Sequence, residues 1–267
     1  MRTLSLILLI ALSTHGLQAQ DTLSSTESYH LFNPTPREKM RGFSIDRPDV
    51  TESPMTVDAG HFQFEGDLIK WAGEEQGKGV QTINVMNGLY KMGLTHSWDI
   101  HVGVELYNIY QDSEGNTQDK GYGSTTIRLK HNFWGNDGEG ETALGVIPYI
   151  TFTPDNEIVY GVGFPFGYAL SNKLGLGLQS QFDFIPAGPD GRDVSFFQTI
   201  VIGGPLVGNL DFYVEAFGAW TPGSQIFTAN GGLIYNASEN VKIDIATNQG
   251  LNKESPTRVY LGLSFRI

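Results

Sequence analysis

The chain has 267 residues, a formal net charge of −12 and no cysteine. An acidic chain without a basic cluster excludes nucleic acid as a partner, because phosphates demand lysine and arginine gathered on one face. The missing cysteines exclude disulfides, thiol chemistry and a lipidated N-terminal cysteine, while 33 glycines and 12 % aromatic residues point to many strands and turns.

Residues 1–19 read as a secretory signal. Arg2 supplies the positive charge, and residues 4–12 form an apolar run too short to span a bilayer as a helix, which takes about 20 residues. Leu17-Gln18-Ala19 supplies a cleavage region near Ala19, with a larger residue than usual at −3. Losing Arg2, the only charged residue among the first 20, takes the net charge from −12 to −13. No later apolar stretch reaches 18 residues, which excludes a helical membrane protein.

Residues 20–59 form a polar lead-in, a periplasmic or plug segment, and from residue 60 to 267 apolar and polar residues alternate. Strand side chains point to opposite faces in turn, so each segment has one apolar and one polar or small face. Twelve segments emerge, at 61–72, 80–95, 98–110, 121–134, 140–153, 159–171, 173–186, 193–207, 209–220, 225–237, 240–249 and 256–267. Most are long enough to cross a bilayer as tilted strands, which takes roughly 9–11 residues. Tight connections near residues 95–97, 135–139, 171–172, 208 and 238–239 alternate with mostly longer ones near 74–79, 111–120, 154–157, 186–192, 221–224 and 250–255. Trp98 and Trp134 flank the tight turns and Trp71 and Trp220 the longer ones, as two aromatic girdles require.

The fold class expected is therefore all-β, a transmembrane antiparallel barrel of about twelve strands in a bacterial outer membrane, with lipid as its surroundings. A soluble β-sandwich also alternates. The export signal, the rhythm of the connections and a chain ending inside a strand, with Phe265 two residues from the terminus, favour the membrane barrel; ending on Ile267 departs from the aromatic such strands usually finish on. In this register Glu65, Asp67, Glu105, Arg128, Lys130, Asp183, Glu215, Lys242, Asp244, Arg258 and Arg266 face the lumen. The plainer reading is a paired ladder filling the interior, the other a lining for a permeation path.

Just before the first strand stands Asp46-Arg47-Pro48-Asp49-Val50-Thr51-Glu52-Ser53-Pro54, followed by Gly60-His61-Phe62-Gln63-Phe64-Glu65-Gly66. This resembles the signature of an outer-membrane "transporter" family filed as putative meta-pathway phenol-degradation proteins. Gly93-Leu94-Thr95, Trp98-Asp99-Ile100 and Gly121-Tyr122-Gly123 fit the same family, from Ser44 onward. The resemblance implies a twelve-stranded barrel related to those that export amyloid subunits or are suspected of carrying hydrophobic compounds. The family name records genetic context more than chemistry, so neither phenol nor an activity is carried over. Asp46, Arg47, Asp49 and Glu52, with Thr51 and Ser53, are either a plug pairing with lumen charges or, more plainly, a turn closing the periplasmic mouth. Pro48 and Pro54 fix φ and remove donors, favouring an extended strap over a helix.

No catalytic, cofactor or metal residues are expected. A barrel-wall serine hydrolase needs a base within reach of its serine, and the strand histidines read His61-Phe62-Gln63, His101-Val102-Gly103 and His131-Asn132-Phe133. His96-Ser97 lies in a turn. The expected function is passage of a small, possibly hydrophobic molecule; the alternative is a non-conducting structural or adhesion barrel whose outer loops bind a partner. Oligomeric state is left open.

Overall fold

In the computed structural model, residues 28–73, 81–112, 114–138, 140–188 and 191–267 are described. The secretory signal, the start of the lead-in, the connection at 74–80 and Asp190 lie outside them. Period-two alternation gives β1 (Phe62–Ala72), β2 (Gln81–Gly93), β3 (Trp98–Gln111), β4 (Thr117–Gly121), β5 (Thr125–Trp134), β6 (Thr142–Phe152) and β7 (Ile158–Ala169). It continues through β8 (Gly175–Ala187), β9 (Gly191–Val207), β10 (Leu210–Thr221), β11 (Ser224–Ser238), β12 (Val241–Gly250) and β13 (Arg258–Arg266).

Neighbouring strands pair antiparallel, and β1 closes the sheet on β13, from Gln63 opposite Arg266 to Ala72 opposite Arg258. The segment expected at 121–134 is broken: β3 pairs with β5 at its near end, Trp98 opposite His131, and with β4 at its far end, Asn108 opposite Gly121. Residues 122–124 interrupt this single stave, so the barrel has twelve staves. The remaining strand bounds fall within a few residues of those expected.

Burial settles which face is outside. Val214, Ile245 and Phe133 are 55 %, 54 % and 52 % exposed, whereas Lys130, Asp244 and His101 are fully buried. A sandwich would bury the first set and expose the second. An apolar outer band around a polar interior is what a closed barrel presents to lipid, with every backbone group paired in the ladder. Aromatic rings fill the outward glycine positions: Phe64 lies against Gly66 and Gly88, and Trp220 against Gly218. All four tryptophans are outward and exposed, Trp98 and Trp134 at one rim, Trp71 and Trp220 at the other.

The alternation slips across the first three strands. Between β1 and β2 and between β2 and β3 the pairing skips a row containing Leu68, Met86 and Leu106, and Met86 has a φ of 59°. Beyond that row the inward residues are Asn84 and Asn108, whose side chains bond at 2.6 Å. The expected contrast between rims is also weaker: β10 and β11 are joined by Pro222 and Gly223 alone, while residues 135–141 make a longer connection on the opposite rim.

Candidate functional site

Residues 41–58 enter at the rim that holds the start of β1 and the end of β13, turn within the barrel and return. At the rim Arg41 Nε donates to Asp58 at 2.7 Å, and Arg266 donates to the Arg41 carbonyl at 2.8 Å and to Asp58 at 3.3 Å. The Asp46 amide donates to Glu65 at 2.8 Å, and its carboxylate accepts from Lys91 at 2.5 Å and Lys130 at 2.7 Å. The same carboxylate accepts from the Ser53 amide at 2.8 Å, tying the two limbs of the strap together.

At the turn, Arg47 forks across two strands. Its Nη1 reaches Asp67 of β1, and Nε and Nη2 reach both oxygens of Asp244 of β12, each at 2.8 Å. The Arg47-Pro48 bond is cis, and the Pro48 carbonyl accepts from Tyr260. Glu215 of β10 accepts from the Val50 and Thr51 amides and from the Thr51 hydroxyl, and Asn230 completes its shell at 2.6 Å. On the return limb Glu52 donates its amide to Gln179 at 2.6 Å and pairs with Arg128. Lys130 then donates to the Ser53 carbonyl at 2.8 Å, Asn132 to that of Pro54 at 2.9 Å, and the Val57 amide donates to Asp99 at 2.8 Å.

The strap is thus anchored to staves all round the wall, and the glycines of the inner face explain how it fits. A Cβ on Gly262 would lie 1.9 Å from Arg47 Nη2, and one on Gly177 3.1 Å from Thr51. Gly145 and Gly167 leave the same kind of space for Pro54, at 3.3 and 3.5 Å. The small residues of the polar face are the seat of the strap.

Of the eleven residues expected to face the lumen, Glu65, Asp67, Arg128, Lys130, Glu215, Asp244 and Arg266 bond to the strap directly. Lys242 stands over the Phe43 ring at 5.5 Å. Glu105 accepts from the Ser124 amide at 3.0 Å, Asp183 from Gln181 at 2.9 Å, and Arg258 lines a cavity beside Asp49. Lys91, Asp99 and Thr199 escaped the sequence reading, whereas Gln179, Tyr260 and Gly262 fall on the polar or small face of its alternation without being marked as partners of the strap. Lys91 was hidden because the slip at Met86 scrambles the parity of β2; the glycine carried no polar atom to notice.

Charge in the strap is uneven. Burial works to raise the Asp46 carboxyl, but Lys130 and Lys91 outweigh it and hold it well below the usual carboxylate range. Asp49 is pushed well above that range by burial, then by the neighbouring Glu215. Polar cavities lie on both sides of the strap. One of about 380 Å³ on the rim side is lined by Arg41, Asp58, Asp99 and Asn136. Two further in, of about 250 and 300 Å³, are lined by Glu52, Asn87, Glu105 and Arg128, and by Arg47, Asp49, Asp67 and Arg258.

Among solved structures, the chain is similar to the KdgM porin, over 77 % of this chain and 98 % of that one, with a TM-score of 0.50 and 10 % identity. The KdgM porin in complex with disordered oligogalacturonate gives 0.49 and 9 % over the same shares. The CymD monoaromatic hydrocarbon channel gives 0.45 and 8 %, over 77 % of this chain and 87 % of that one. At such identity the KdgM likeness is one of fold: this chain has the architecture of an outer-membrane barrel. No family model matches the chain, and no curated protein matches it.

Proposed function

We propose that this chain is a passive outer-membrane channel for a small molecule, and that residues 41–58 are the obstruction which sets its conductance. The observation that carries the reading is the strap itself: a segment with no strand partner of its own, held in the lumen by side chains from β1, β2, β5, β8, β10 and β12, with polar cavities on either side. The resemblance of residues 46–54 to the "transporter" signature supports it, since the residues that define that motif are the ones bonded to the wall.

Planar-bilayer recording tests it. The full mature chain should conduct poorly, and deletion of residues 21–54 should leave a heat-resistant barrel with raised single-channel conductance. A truncated barrel that inserts and conducts no better would remove the plug. The density of bonds seating the strap is what a non-conducting structural barrel would also have, and two silent proteins would establish that reading instead.

A further inference from the structure

The lipid-facing surface carries a pair of residues that hydrocarbon does not explain. Gln198 of β9 shares its face with Phe196 and Ile200, and Ser180 of β8, directly opposite, shares its face with Leu178 and Phe182. Ile200 and Phe182 are 46 % and 38 % exposed, whereas Thr199, next in the chain, is fully buried, so both polar side chains point outward. They stand inside the apolar band: on the same face of β9, Val194 and Phe196 lie towards one rim and Ile200 and Ile202 towards the other. Ser180 Oγ donates to Gln198 Oε1 at 2.5 Å, and Gln198 Nε2 donates to the Thr199 carbonyl at 3.0 Å. A primary amide has two N–H donors and an oxygen with two lone pairs. One N–H and one lone pair of Gln198, without a partner among the described residues, are therefore left towards lipid, which offers neither donor nor acceptor.

The wall beside this pair is low. Gly218 of β10 lies opposite Gln198, and one row on Ala216 of β10 faces Ala229 of β11, both exposed. Gly231 follows on the same face of β11, where a Cβ would meet nothing nearer than the Tyr213 carbonyl at 3.5 Å. On the opposite wall the row of Tyr90, Val102 and Ile127 is large throughout. We infer that the face centred on Gln198 is where a second copy of this chain packs, as a two-fold dimer within the membrane, whether or not the barrel conducts. The amide selects the partner. The spare N–H and lone pair of one Gln198 complement those of another, and a two-fold axis along the membrane normal makes both bonds at once. Alanine and glycine beside it let the two walls approach, as small residues do between membrane helices.

Sedimentation equilibrium of the full mature chain in density-matched detergent reads the association, with heat-modifiable migration on gels showing that each variant is a folded barrel. The parent should dimerise. Gln198→Leu, which keeps a side chain of similar size, should weaken the dimer by about threefold to thirtyfold, the range found for polar contacts between membrane helices. Ala229→Phe should weaken it as well, and Val102→Phe, on the opposite wall, should leave it unchanged; if Ala229→Phe does not fold, Gln198→Leu decides alone. In outer-membrane fragments, oxidation should link Gln198→Cys, and not Val102→Cys, into a disulfide dimer, since the chain has no cysteine of its own. A monomer at every concentration, a trimer, or a dimer as tight in Gln198→Leu as in the parent would each overturn the assignment. So would equal weakening by Ala229→Phe and Val102→Phe, or a Gln198→Cys variant that oxidation leaves unlinked.

Discussion

At the scale of single residues, Arg47 concentrates the most testable chemistry. Its guanidinium bridges Asp67 and Asp244 in a bidentate geometry that a lysine ammonium cannot reproduce. Arg47→Ala strands the fully buried Asp244 carboxylate and leaves Asp67 to Lys70 at 3.3 Å, and should destabilise the barrel by about 3–5 kcal/mol, with Arg47→Lys recovering little. Gly262→Ala should cost a comparable amount without removing a charge, because its Cβ displaces the guanidinium from Asp67 and Asp244. In a double-mutant cycle read by urea unfolding, the glycine substitution should become nearly silent once Arg47 is alanine; additive losses would show that the two do not share one space. Asp49 gives the complementary case. Its folded pKa is raised, so its ionised form opposes the seated strap above the unfolded value, and falling pH relieves that as the carboxyl protonates. Asp49→Asn mimics the protonated state. The thermal midpoint of this variant should therefore exceed that of the parent at neutral pH, and the gap should close in acid; a gap constant with pH would mean that the Asp49 carboxyl titrates alike in the folded and unfolded chain.

Among the elements, the strands were legible, and of the strap the sequence showed an extended segment but not its partners. Alternation in β5, β10 and β12 places Ile127, Val214 and Ile245 outside and Lys130, Glu215 and Asp244 inside, since period two leaves no freedom once one face must be apolar. Where backbone geometry departs from that period the reading fails: the row of Leu68, Met86 and Leu106 hides Lys91, and residues 122–124 split a stave that looked continuous. For residues 46–54 the sequence offered a plug or a closing turn, and the choice between them, with the partners of each residue, was out of reach for a different reason. Their partners lie up to 212 residues away, as with Pro48 and Tyr260, and no local pattern encodes a contact of that separation. The strap also changes what an inward substitution means. Val214→Arg, on the lipid face near mid-strand, should cost about 2–4 kcal/mol. Gln179 faces inward, yet it is 1 % exposed and accepts the Glu52 amide, so arginine there must displace the strap. Asn87→Arg, facing open cavity, is the milder inward change, and urea unfolding of both variants in micelles should rank Val214→Arg well below Asn87→Arg in stability. The opposite ranking would invert the wall.

For the whole molecule, the rim at which the strap enters decides orientation. The same rim holds the start of β1 and the end of β13, and the turn at residues 239–240 is tight, whereas residues 153–157 and 251–257 lie at the other. A barrel inserted from the periplasm keeps its short turns there and displays the longer loops outside. Because the chain has no cysteine, each introduced thiol reports one place. On whole cells an impermeant maleimide should label Asp155→Cys rapidly and leave Glu239→Cys unlabelled; the reverse would turn the barrel over. Two further positions extend the test through the lumen. Asn87 lines the cavity on the outer side of the strap and Met55 the cavity on the periplasmic side. If the strap obstructs the path, Asn87→Cys should react from outside and Met55→Cys should not, until Arg47→Ala loosens the turn and exposes it. Equal labelling of both positions in the parent would mean that solute passes the strap freely, and its bonds to the wall would then serve architecture alone.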